Sequence, residues 1–242
     1  MATRTRHPER REDALSRERI VAAAVALLDV AGAGGLTFRE LATHLKTGPG
    51  AIYWHVANKS ELLIAATDAV LTQAMAVDVT DDTPQGAIRA VALGVFDAID
   101  AHPWVGSELS RAPSQPAMLR FFERIGRQVQ ALGVPAAAQF TSASAVLNYT
   151  LGVGGQNAAN ARAHQEGANR TEFLASVSTS WVNLDPDDYP FIRGVAEQLR
   201  DHDDRAQFLD GIDLILDGIS GLRGDPADGP PGRSLGEAPP PA

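Results

Sequence analysis

Cysteine is absent from this 242-residue sequence, lysine occurs only twice, and aromatic residues make up only 6% of it. Without thiols there can be no disulfide, no thiolate metal site and no cysteine nucleophile. No apolar run approaches the roughly 20 residues that a membrane-spanning helix needs. The opening MATRTRHPERRED has no apolar core of a secretory signal. These absences predict a cytoplasmic protein with no membrane partner. Catalytic signatures are missing too. There is no G-x-S-x-G, no P-loop, no H-E-x-x-H, and no nucleophile and base at a recognisable spacing, so no enzymatic activity is expected. His102 and His164 could ligate a metal, but no cluster of His, Asp or Glu accompanies them at ligand spacing. No metal and no cofactor are expected.

The chain is acidic, with a net charge of −9, but the charge is uneven. Residues 1–60 hold nine Lys and Arg against six Asp and Glu, and both lysines, Lys46 and Lys59, lie there. The remainder holds 12 against 24. A basic end on an acidic body favours nucleic acid at that end alone.

Within the basic end, one stretch organises the rest: LTFRELATHLKTGPGAIYWHVANKSELL, Leu36 to Leu63. Thr37 has an N-cap side chain, Glu40 completes a capping box, and Leu36 and Leu41 form the staple. A helix over about 38–45 follows, with Leu41, Ala42 and Leu45 on one face. Lys46-Thr47-Gly48 is the turn. Pro49 suits the first turn of a second helix, over about 49–56, with Ile52 and Val56 inward. Asn58 caps a third helix, with Glu61 three residues on.

Two short helices joined by a tight turn are the form of a DNA-reading helix-turn-helix. The outward residues of the second are Gly50, Ala51, Tyr53, Trp54 and His55. Small residues there let the backbone approach base edges, and Tyr53 and His55 can reach phosphates. Lys59 stands in the first turn of the third helix, where its charge opposes the helix dipole and a phosphate would suit it.

At these residues the chain resembles the TetR family of bacterial transcriptional repressors, and Y-W-H-V-x-N-K is similar to the tetracycline repressors. The resemblance implies an all-α fold: a three-helix N-terminal DNA-binding domain, then a helical bundle for ligand binding and dimerisation. It places DNA contacts at Arg39, Pro49, Gly50, Ala51, Tyr53, Trp54, His55 and Lys59. Thr37, Lys46 and Thr47 join them from the cap and the turn. Two departures stand out. The turn carries Lys46-Thr47 where the family usually has Gly-Val or similar, and Ala51 occupies a position that often reads a base through a hydroxyl.

In order, the sequence predicts a disordered Arg-rich arm over 1–14, the reading head over 15–62, a body over 63–222, and a disordered Pro/Gly-rich tail over 223–242. Ser16 caps the first helix, with Ile20, Ala24, Leu27, Leu28 and Ala31 inward, and the glycines to Gly35 stop it. The helix from Asn58 runs to about Ala76, long enough to cross from head to body. Val77–Thr83 is a linker. Helices then start at Pro84, Trp104, Pro116 (inward face Leu119, Phe122, Ile125, Val129 and Leu132), Pro135, Glu172, Asp185-Pro186 and Asp204. The helix to His164 carries Gly152, Gly154 and Gly155, which implies close approach, a kink or space for a ligand. F-L-D-G-I-D-L-I-L-D-G-I, near the end, is similar to the final segment of tetracycline-repressor-like C-terminal domains.

The resemblance further implies a homodimer built from helices at about 136–164 and 204–222, a double-stranded DNA operator, and a small-molecule effector. Aromatic and amide residues of the body that would surround a largely apolar effector are Trp104, Met118, Phe121, Phe122, Phe140, Tyr149, Gln156, Asn157 and Trp181. The expected function is a ligand-responsive repressor released by that effector. The competing reading is an architectural or ligand-independent DNA-binding protein.

Overall fold

The structure, a computed structural model, describes residues 15–76, 83–111, 115–164 and 169–222. The arm, the tail and nearly all of the expected linker lie outside the described residues, as does the side chain of His164. Among the described residues there is no strand, and no helix is long and apolar enough to cross a membrane.

The head comprises α1 (Arg17–Gly35), α2 (Phe38–His44), α3 (Pro49–Tyr53) and the start of α4 (Lys59–Met75). The capping signals act as the sequence implies. Ser16 Oγ accepts from the Arg19 N–H, Thr37 Oγ1 from that of Glu40, and Asn58 Oδ1 from that of Glu61. Gly32 sits at φ 63° and breaks α1 within its last turn, so Ala31 is exposed rather than inward. Ile20, Ala24, Leu28, Leu41, Ile52 and Leu62 close the head core, each no more than 1% exposed.

The body begins on the second half of α4 and continues with α5 (Pro84–Ala101), α6 (Trp104–Arg111), α7 (Pro116–Ala131) and α8 (Ala136–His164). After these come α9 (Arg170–Val182), α10 (Pro190–Val195), a 3-10 turn (Ala196–Leu199) and α11 (Asp204–Ser220). Helices α5, α7 and α8 pack together, with α4 on one side and α11 against α5 and α8. Helices α9 and α10 pack chiefly on each other and on the 3-10 turn. Arg193 ties them by donating to the carbonyls of Val182 and Leu184.

Two sequence expectations fail here. On α7, Leu119 is 59% exposed, and the buried stripe is Met118, Phe121, Ile125 and Val129. Two neighbouring stripes of this helix are apolar, and the docking of α5 and α8 selects between them. No helix starts at Asp185-Pro186. Asp185 Oδ1 accepts from the Asp187 N–H at 2.8 Å in a turn, and the helix begins at Pro190 with Phe191 76% exposed.

Helix α11 meets α8 through Tyr149, whose ring stacks on Phe208, itself stacked on Phe96. Burial, then the charge of Asp210, pushes the Tyr149 pKa above its ordinary value, so the phenol stays a neutral donor, here to the Gln207 carbonyl. A Cβ at Gly211 would lie 1.9 Å from that hydroxyl and 2.4 Å from Cζ. Gly211→Ala should therefore destabilise the chain. Overpacking of ~1–3 kcal/mol exceeds the helix-propensity gain of ~1 kcal/mol. Urea melts of the single variant and of Gly211→Ala combined with Tyr149→Ala check this, with the single substitution becoming stabilising once the ring is gone.

Candidate nucleic-acid interface and effector site

The turn between α2 and α3 is closed by two backbone bonds, Thr47 N–H to the Ala42 carbonyl at 2.9 Å and Lys46 N–H to that of Thr43 at 3.2 Å. This is a Schellman cap, whose left-handed position normally holds glycine. Here Lys46 holds it, at φ 54°. A non-glycine residue in this region costs roughly 1–2 kcal/mol, and the strained position aims an exposed ammonium out of the turn.

Pro49 starts α3, which buries only Ile52. Pro49 and Gly50 are exposed and Ala51 partly so. A Cβ at Gly50 would meet nothing within 4 Å, so packing does not require this glycine. The helix ends at Tyr53, earlier than the sequence suggests. Trp54 and His55 lie in the following turn, where the N–H groups of His55 and Val56 both donate to the Ile52 carbonyl. Trp54 is 91% exposed. Tyr53 stacks flat on Phe38 with ring centroids 4.5 Å apart, which fixes its hydroxyl on the outer surface.

Thr37 is less free than the sequence suggests. Its hydroxyl both accepts from the Glu40 N–H and donates to Glu40 Oε2 at 2.9 Å. Arg39 is exposed two residues on, and Lys59 stands at the first position of α4. Thus all eleven candidate residues lie on α2, α3, the turns beside them and the start of α4. Glu61 ties these pieces together. It accepts from the Ala57 N–H at 2.9 Å, which holds its carboxyl below the usual range, and it pairs with Arg17 at 3.0 Å. Arg17 also donates to the His55 carbonyl.

The nine candidate effector residues do not converge. Trp104, Met118 and Phe121 are core residues, at most 6% exposed. Trp104 Nε1 donates to Asp29 Oδ1 at 2.7 Å, and His102 Nδ1 lies 2.7 Å from the same oxygen. These two residues therefore join the body to α1. Phe122 and Phe140 meet edge-to-face, with Phe140 73% exposed. Gln156 is exposed and Asn157 half-buried on α8, while Trp181 lies on α9 among its own neighbours.

Among the described residues, cavities form elsewhere, and none of the nine lines either of two of them. One, of about 350 Å³, lies between α6 and α8 and is bounded by Pro103, Gly106, Leu151, Gly152, Gly155 and Ala158. The other, a groove of about 900 Å³, runs between α1, α4 and α5. The helix-8 glycines divide accordingly. Gly154 is buried, and a Cβ there would sit 3.1 Å from Ile99 Cδ1, so it permits close packing on α5 within the chain. A Cβ at Gly152 or Gly155 would meet open space.

Sequence reasoning missed the bonds that couple α4 to the body. Arg120 on α7 pairs with Asp68 and donates to Thr72 Oγ1, and Arg124 donates to the Met75 carbonyl. These partners lie about 50 positions apart in the chain, and no local pattern marks them. Among the described residues, no group of three or more His, Asp or Glu is placed to hold a metal.

Residues 20–66 match the bacterial regulatory proteins of the tetR family, and residues 78–222 match the tetracyclin repressor-like C-terminal domain. The fold is similar to that of SCO7222, a TetR transcriptional regulator from Streptomyces coelicolor, with 57% identity and a TM-score of 0.80, covering 87% of this chain and 100% of that one. It is also similar to BioQ, known from Mycobacterium smegmatis. In a structure with its double-stranded DNA operator, BioQ shows 27% identity and a TM-score of 0.56, covering 86% of this chain and 99% of that one. In sequence the chain is 27% identical over 218 residues to the transcriptional repressor DrrR1 of Streptomyces coeruleorubidus, spanning 86% of this chain and 78% of that one. With both halves matched, the chain belongs to the TetR family of bacterial regulatory proteins, DNA-binding transcriptional regulators rather than enzymes.

Proposed function

We propose that the protein is a repressor that binds a palindromic operator as a homodimer and is released by a small, largely apolar or aromatic molecule. The observation that carries this reading is the outer surface of α3. It buries Ile52 alone and turns Pro49, Gly50 and Tyr53 outward beside Trp54. The operator bound by BioQ and the repressor function of DrrR1 support the same reading.

One head offers few contacts, so pairing two is needed for selectivity. The outer faces of α8 and α11 suit a paired four-helix interface. Ala137, Thr141 and Ala145 form an exposed small-residue stripe on the first half of α8, and Leu214 is 74% exposed on α11. Release would act through α4. Its first turn holds the head, and its last turns are tied to α7 by Arg120 and Arg124. A shift in the body therefore tilts the head. Two heads must sit about 34–36 Å apart to enter successive major grooves, so a small tilt breaks the match. The cavity beside Gly152 and Gly155 is the proposed entry point for the effector.

Selection of bound duplexes from a random pool should enrich a palindrome with half-sites one turn apart. Enrichment of a lone half-site, or of no sequence, would refute the reading. An aromatic compound that releases the wild type should fail to release Gly155→Leu, which fills the cavity yet still binds operator. Gly154→Leu, which meets Ile99, should instead lower the melting temperature.

A further inference from the structure

We propose that the groove between α1, α4 and α5 is a second ligand site, taking a monovalent cation with an apolar, aromatic body. Its volume of about 900 Å³ lies in the range of small-molecule sites, which are apolar clefts with a few placed polar groups. The walls fit that description: Val21 and Val25 come from α1, Ile64, Ala65 and Ala69 from α4, and Ala98 from α5. Alanines on all three helices, among them Ala22, Ala65, Ala69 and Ala98, keep the walls short and leave the space between them.

Charge sets the sign of the ligand. The lining carries four carboxylates, Glu18, Glu61, Asp68 and Asp97, and one guanidinium, Arg17. Arg120 and Arg205 reach Asp68 and Asp97 from outside the groove. Four carboxylates against three guanidiniums leave one negative charge in excess while His102 is neutral. Glu61 already pairs with Arg17. The Glu18 carboxyl is held below its ordinary range by its own backbone N–H and the Ser16 hydroxyl, so it stays ionised at neutral pH. Glu18, the excess carboxylate, is exposed beside the apolar walls, and a charge so placed attracts a cation and repels an anion of the same shape. The groove shares no lining residue with the α6–α8 cavity, so this site stands whether or not that cavity takes an effector.

Calorimetric titration of the full chain with tetraphenylphosphonium, against tetraphenylborate of the same shape and opposite charge, tests this. The phosphonium should bind saturably, one per chain, and the borate at least ~tenfold more weakly. Ala69 is exposed on the groove floor, so Ala69→Trp fills the space without entering the core and should weaken phosphonium binding by at least ~tenfold. Glu18→Gln should weaken it several-fold. If Ala69→Trp melts early, Ala22→Trp fills the groove from the exposed face of α1 instead. Absence of saturable binding, equal affinity for the two ions, or wild-type affinity in a folded, filled variant would overturn the proposal.

Discussion

Leu214→Asp should yield a folded monomer that no longer holds its operator. Leu214 projects from α11 opposite the face that buries Phe208, Ile212, Leu216 and Ile219, and it is 74% exposed in the single chain. A charge there costs the monomer almost nothing. At a twofold interface the same change appears twice, and each unpaired buried charge costs several kcal/mol. A penalty of ~4 kcal/mol weakens dimerisation about 10³-fold, and a lone head then faces a half-site. Sedimentation at micromolar concentration should show the wild type as a dimer and the variant as a monomer, with unchanged helicity. Gel shifts should show the full operator lost. A variant that still sediments as a dimer would rule out α11 as the interface.

The second large effect is expected at the head. Lys59 occupies the first position of α4, where the helix dipole disfavours a cation. Lys59→Ala should therefore leave the melting temperature unchanged or slightly higher. It should weaken binding to operator and to random DNA alike, and reduce the slope of log affinity against log salt by about 1 per head, about 2 for the dimer, because a phosphate contact positions without specifying. Tyr53 calls for a different substitution. Its ring packs on Phe38, so alanine would remove packing as well as the hydroxyl, whereas Tyr53→Phe isolates the hydroxyl. Gly50 has open space before it, so Gly50→Ala should keep the fold and change which half-site is preferred. Full affinity and an unaltered salt slope in the Lys59 variant would remove this residue from the interface.

The sequence by itself determined where most of the helices begin, though not the one at Pro190, and which elements make up the head. Ser16, Thr37 and Asn58 cap because a side-chain oxygen satisfies an N–H group three residues ahead, and Pro49, Pro84 and Pro116 open helices because their missing N–H is not needed there. These interactions span at most four residues and can be read locally. The residues proposed to face DNA lie within one stretch of 23 positions, 37 to 59, whose core residues recur at helical spacing, so their shared placement on the head could be read locally.

Only the tertiary structure decided which apolar stripe of α7 is buried, because Met118–Phe121 and Leu119–Phe122 are equally apolar and the neighbours α5 and α8 choose. It also decided the fate of Trp104, which bonds to Asp29 across 75 positions instead of lining a pocket. The helix-8 glycines, alike in sequence, differ because a Cβ at Gly154 would meet Ile99 of α5 and one at Gly152 or Gly155 would meet nothing within 4 Å. Cavities are the places where side chains of separate helices fail to meet, and that follows from how the helices dock rather than from the spacing within any one of them.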